Sequence, residues 1–176
     1  MLVLDSRDMM DRDSIITYLT ELNYWLGKAG INIDMFVFGG AAMALYYDYN
    51  RVTREIDAVL SADIGEEIGK VSDVLGISPN WIYVDEGEGI DLRFIKCKDE
   101  GLHLANITVW YPSDKDMLCM KLISGRSRDV DDIIVLMKEL RFSGELDLRR
   151  FVEGYKDVLD GEEIKETIIQ EIIEGI

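Results

Sequence analysis

The stretch FVFGGAAMALYYDYNRVTREIDAV, Phe36 to Val59, decides the fold. Together with the preceding Ile33-Asp34-Met35 it opens as a short apolar run ending at Gly39-Gly40, the pattern of a strand buried on both faces. Ala41 to Tyr49 mixes small and long apolar residues, which predicts a helix whose N-terminus lies at the glycines. A burst of charge follows, and Arg54 to Ser61 reads as a second strand carrying Glu55 and Asp57. Side chains alternate along a strand, so these two carboxylates are expected on one face and Ile56 and Ala58 on the other. Two carboxylates side by side repel unless a cation or basic groups lie between them. Hard divalent cations are held by such oxygen pairs, with phosphate oxygens and water completing the shell. A solvated edge strand with its charges outward is the alternative.

The glycines and the basic residues tilt that choice. Gly39 and Gly40, at the end of a strand and the start of a helix, permit close approach of phosphate to unpaired backbone N–H groups. Tight strand-to-helix packing would also place glycine there. Arg51, Thr53 and Arg54 supply donors directly before the acids. Glycines, donors and acids within about 20 residues form one site more economically than three unrelated features.

Outward from this stretch, residues 12 to 30 carry Ile15, Ile16, Leu19, Leu22 and Leu26 at helical spacing, closed by Gly30. A second helix is expected between Asp63 and Gly76. Gly89 to Cys97 and Leu102 to Tyr111, separated by the polar turn KDEG, predict a hairpin. From Ser113 onward the pattern is helical throughout. The expected class is therefore α+β, a mixed sheet flanked by helices over residues 1–112 and a helical portion over 113–176.

Composition narrows the function. The chain has 176 residues with 35 acidic and 19 basic side chains, a net charge of -16 that repels polyanions at long range. No apolar run approaches the roughly 20 residues that cross a bilayer, and MLVLDSRDMMDRDS has no signal-peptide pattern, so no membrane partner and a cytoplasmic location are expected. Cys97 and Cys119 lack metal-ligand spacing and read as reduced thiols. His103, the single histidine, reads as a structural side chain within the second hairpin strand. Trp25, Trp81 and Trp110 read as packing residues, and the acidic loop Val84 to Asp91 as a surface turn. Ile164, Ile168, Ile169, Ile172 and Ile173 form a stripe suited to packing on the domain or on a second subunit.

The strings GGAAMAL and RVTREID resemble the nucleotidyltransferase superfamily, specifically the AbiEii-like toxins and related uncharacterised nucleotidyltransferase-like domains. MLCMKLISGRSRDVDDIIVL, Met117 to Leu136, is similar to the downstream signature of the same group, and the two blocks span about 100 residues. The resemblance implies that Gly39 and Gly40 face phosphate, that Glu55 and Asp57 bind metal, and that Lys121 and Asp129 are downstream active-site residues. Arg126 and Arg128 would lie near the nucleotide, with Arg51 and Thr53 supporting it. Lys121 suits a triphosphate as a point charge, and arginines bind phosphate in bidentate fashion. Asp129 equally suits an N-cap of the following helix, with Asp131 and Asp132 complementing its dipole. Asp91 is the expected third metal carboxylate, the alternative being a residue at the entry to a strand near a turn. The implied cofactor is Mg2+ or Mn2+, the implied substrate an NTP, and the acceptor an RNA, a protein or a small molecule. Glu55 stands where the group usually has Asp, and Gly40 where the superfamily often has Ser. These departures leave a second expectation, a catalytically degenerate binding module, as a homodimer or with the cognate protein of a toxin-antitoxin pair.

Overall fold

The computed structural model describes residues 9–85, 96–99, 101–155 and 166–175. They fall into two compact units, the first built from residues up to Tyr111 and the second from Pro112 onward.

In the first unit, α1 (Arg12–Ala29) starts where Asp11 accepts a hydrogen bond from Ser14 N and stops at Gly30, whose φ of 69° places it in the left-handed region. Its buried stripe is Ile15, Leu19, Leu22 and Leu26, as the spacing predicts. β1 (Ile33–Phe38) leads directly into α2 (Gly39–Tyr46), followed by β2 (Ile56–Leu60) and α3 (Gly65–Leu75). Asp63 does not cap α3 from the expected position. Its carboxylate accepts from Gly65 N at 3.0 Å in a local turn, and Ile64 holds the N-cap position. Gly76 closes the helix with φ 63°. β3 (Ile82–Val84), β4 (Lys96–Lys98) and β5 (Ile107–Pro112) complete a five-stranded sheet of order β3-β2-β1-β5-β4. The sheet is mixed: β1 is antiparallel to β2 and parallel to β5, and β2 is parallel to β3.

Two faces follow from the register. Ile33, Met35 and Val37 share a fully buried face with Ile56, Ala58, Ile107 and Val109. Asp34, Phe36 and Phe38 share the other face with Asp57, Val59, Thr108 and Trp110, and Tyr83 of β3 pairs with Asp57 there. Trp81 seals the core, its indole N–H donating to Ile68 O and its ring meeting Tyr18 edge-on at 5.7 Å.

Three strand expectations are corrected. β2 begins at Ile56 rather than Arg54, because Thr53 bridges to Met10 and turns its hydroxyl onto Glu55 O, leaving residues 54–55 in a bend. β5 begins at Ile107 rather than Leu102, because Asp99 Oδ1 draws the N–H groups of Gly101 and Leu102 into a turn. His103 is consequently exposed and outside the strand. β3 is a strand that the sequence reading missed.

The second unit is helical: α4 (Asp114–Ser124), a 3-10 turn at Ser127–Asp129, α5 (Val130–Glu139), α6 (Glu145–Gly154) and α7 (Glu166–Gly175). Ser113 caps α4, its hydroxyl oxygen accepting from Asp116 N while its proton is donated to the Asp116 carboxylate. Leu118, Cys119, Leu122, Ile133, Leu136 and Leu148 form its core with Ile168, Ile169 and Ile172 of the C-terminal isoleucine stripe, while Ile173 is half-buried and Ile164 lies outside the described residues. Among the described residues no helix is long and apolar enough to cross a membrane.

Candidate nucleotide and metal site

Gly39 and Gly40 form the turn from β1 into α2, and both are required by what lies over them. Gly39 has φ 63°, and a Cβ there would overlap Asp57 Oδ2. A Cβ on Gly40 would stand 2.7 Å from Thr53 Oγ1. The antiparallel pairing of Phe38 with Asp57 sets this approach, because it lays the β2 carboxylate beside the first turn of α2. That turn carries no acidic side chain, and Phe38 provides no side-chain cap. A negative charge there is stabilised by the partial positive charge of the helix N-terminus. Both glycines are thus tightly packed against side chains of the following segment, Asp57 over Gly39 and Thr53 over Gly40, which is one of the two readings the sequence offered.

The structure brings Gly39, Gly40, Thr53 and Asp57 together. Tyr83, 56% exposed and in register with Asp57, flanks the carboxylate on the neighbouring strand. Sequence reasoning missed it along with β3, although the run Trp81 to Val84 after the Ser78-Pro79-Asn80 turn carries the aromatic and β-branched signal of a strand. Glu55 does not share the strand with Asp57. It is exposed in the bend before β2. Arg54 is exposed too, and Arg51 is half-buried with Nη1 donating to Val52 O at 2.9 Å. Asp91 and most of the acidic loop lie outside the described residues.

The donor chemistry at Asp57 is of the kind a hard cation takes, a carboxylate oxygen beside a turn without Cβ atoms. Among the described residues no group of three His, Cys, Asp or Glu side chains is arranged to hold a metal ion.

In the second unit, Lys121 and Asp129 also meet, in a buried cluster. Lys121 Nζ donates to Asp129 Oδ1 at 2.8 Å and to Asp132 Oδ2 at 2.7 Å, and all three residues are at most 6% exposed. Ser124 Oγ donates to Asp129 Oδ2. Burial pushes the Asp129 carboxyl up, but hydrogen bonds from Lys121 and Ser124 and the charges of Lys121 and Arg126 outweigh it and hold the group below its ordinary value. Asp129 occupies the N-cap position of α5 without capping it through its side chain, since both oxygens are engaged by Lys121 and Ser124. Asp131 and Asp132 lie in the first turn of α5, as expected for acids that complement the helix dipole, and Asp132 is also the second partner of Lys121. Arg126 and Arg128 are exposed.

A family model described as "Nucleotidyltransferase of unknown function" (DUF6036) matches residues 15–166. No curated protein matches the chain in sequence. Among solved structures, the chain is similar to an antigenic nucleotidyltransferase-like protein from Paracoccidioides brasiliensis, at 17% identity and a TM-score of 0.49, over 92% of this chain and 99% of that one.

Proposed function

The chain belongs to this family of nucleotidyltransferases of unknown function, and we propose that it transfers a nucleoside monophosphate from an NTP to an acceptor hydroxyl. The observation that carries this reading is the Asp57 carboxylate lying against Gly39 at the start of α2. Asp57 would hold Mg2+ or Mn2+, and Gly39 and Gly40 would receive the phosphates. The bound cation supplies charge neutralisation and a lowered pKa for the attacking hydroxyl. The acceptor oxygen forms a bond to the α-phosphorus, the bond to the bridging oxygen breaks, pyrophosphate leaves with that electron pair, and the hydroxyl proton passes to water. The backbone at Gly39 and Gly40 would orient the phosphates, while Thr53 borders the same turn.

Likeness of the two motif blocks to AbiEii-like toxins supports RNA as the acceptor and a cognate protein as partner. The net charge of -16 favours a small contact with that RNA. The test is Mg2+-dependent NTP binding and label transfer in the wild type and in Asp57→Ala. Undiminished NTP and Mg2+ affinity in Asp57→Ala overturns the reading.

A second reading, a nucleotide-binding module without turnover, is favoured by Glu55 lying outside β2 and by Lys121 being paired with two carboxylates. Tight Mg2+-dependent NTP binding with no label transfer to RNA, protein or water selects it.

A further inference from the structure

On the face of the sheet that carries Asp57, a depression of about 370 Å3 is lined by Asp34, Phe36, Val59, Leu60, Ser61 and Trp110. Its floor continues from the candidate site. Phe38 pairs with Asp57 and Phe36 with Val59, so the depression begins two residues along the strand from Asp57, about 7 Å away. Phe36 and Phe38 form a stacked pair, their ring centroids 6.2 Å apart, between the two places. At the far end the polar groups are fixed. Trp110 Nε1 donates to Asp34 Oδ1 at 2.9 Å, which sets the indole plane, and Asp34 N donates to Ser61 Oγ at 2.9 Å. Two hydrogen-bonding positions remain without a partner among the described residues: Asp34 Oδ2 as an acceptor and the Ser61 hydroxyl proton as a donor.

Aromatic and aliphatic walls with one acceptor and one donor at the end complement a flat ring that has an amine beside a ring nitrogen. The geometry points to this depression as a nucleobase pocket, selective for a base with an exocyclic amine next to a ring-nitrogen acceptor, such as adenine or cytosine. The inference rests on the nucleotidyltransferase reading of Asp57 and adds to it the place of the base: phosphates at Gly39, sugar over Phe38, base against Trp110. The base belongs either to the NTP or to the terminal nucleotide of an acceptor, and the recognition chemistry is shared.

The full chain has three tryptophans, so its indole N–H resonances report the pocket directly, with Trp110 assigned from Trp110→Phe. Adenosine is expected to shift the Trp110 resonance in a saturable manner, inosine and uridine to bind at least tenfold more weakly, and Asp34→Asn to weaken adenosine by a similar factor. If the base is that of the NTP, a non-hydrolysable ATP analogue with Mg2+ shifts Trp110 at lower concentration than adenosine, and Asp57→Ala removes that gain but not the adenosine response. If it is the acceptor's, a short oligoadenylate shifts Trp110 and the ATP analogue does not. Saturable shifts elsewhere with Trp110 unmoved by adenosine, ATP analogue and oligoadenylate overturn the pocket and leave the Asp57 reading intact. A Trp110 response to adenosine without any Mg2+-dependent ATP binding sinks the Asp57 reading instead, and the pocket stands.

Discussion

The carboxylate of Asp57 occupies the place where a side chain on Gly39 would begin. One acid and one glycine, eighteen positions apart, are therefore a single structural requirement, and substitution tests it. Gly39→Ala meets both a φ of 63° and the carboxylate. The backbone alone costs about 1–2 kcal/mol, and the overlap adds to it. Urea unfolding is expected to show a loss of about 2 kcal/mol or more. Gly40→Ala destabilises through Thr53, so adding Thr53→Ala recovers part of the loss, with a coupling of about 0.5–3 kcal/mol in the double-mutant cycle. Strict additivity of the Gly40 and Thr53 changes contradicts the contact.

Lys121 sits between two buried carboxylates. Lys121→Met leaves both uncompensated, and removing one partner of a buried ion pair costs about 3–5 kcal/mol. Asp132→Asn keeps the Lys121–Asp129 pair and is expected to cost less. Thermal unfolding of the two variants checks the order, and a Lys121→Met protein as stable as wild type shows that the cluster contributes nothing to the fold.

Asp129 gives the second unit an acid-sensitive element. Its folded-state carboxyl lies below the ordinary value of 3.8, so the folded form binds the proton more weakly than the unfolded chain. Its stabilising contribution is complete above about pH 4 and falls away as pH drops through the lower folded value. Urea midpoints measured from pH 6 to pH 2.5 are expected to fall more steeply in the wild type than in Asp129→Asn.

The two thiols differ in reactivity. Cys119 is fully buried, and burial, with Asp116 nearby, pushes its thiol up to about 12, whereas Cys97 is half-buried. At pH 8 an aromatic disulfide reagent is expected to label Cys97 in the folded protein and Cys119 only after urea is added. Equal labelling rates for both in the native state refute this placement.

Much of this was legible in order of residues. Helix α1, its glycine stop, and the strand-glycine-helix passage from Ile33 to Tyr46 follow from apolar spacing and from glycine at places that need it. The helical portion after Ser113 reads equally well, because its caps and apolar stripes are local. Strand ends were the weak point. Thr53 bonding to Glu55 O and Asp99 drawing in Gly101 and Leu102 are side-chain turns that shorten β2 and β5, and neither changes the apolar pattern. β3 has three residues, too few to show an alternation.

The sequence by itself determined the α+β class, the place of the glycine pair and the resemblance to nucleotidyltransferases, since each rests on residue type and on neighbours within a few positions. Only the tertiary structure decided which acid stands at the glycines. Asp57 reaches Gly39 because antiparallel pairing brings it opposite Phe38, while Glu55 falls in the bend outside the ladder. It also decided that Asp129 turns its carboxylate to Lys121 rather than capping α5, and that Asp132 joins the same ammonium from the first turn of the helix, because a buried ammonium must be paired.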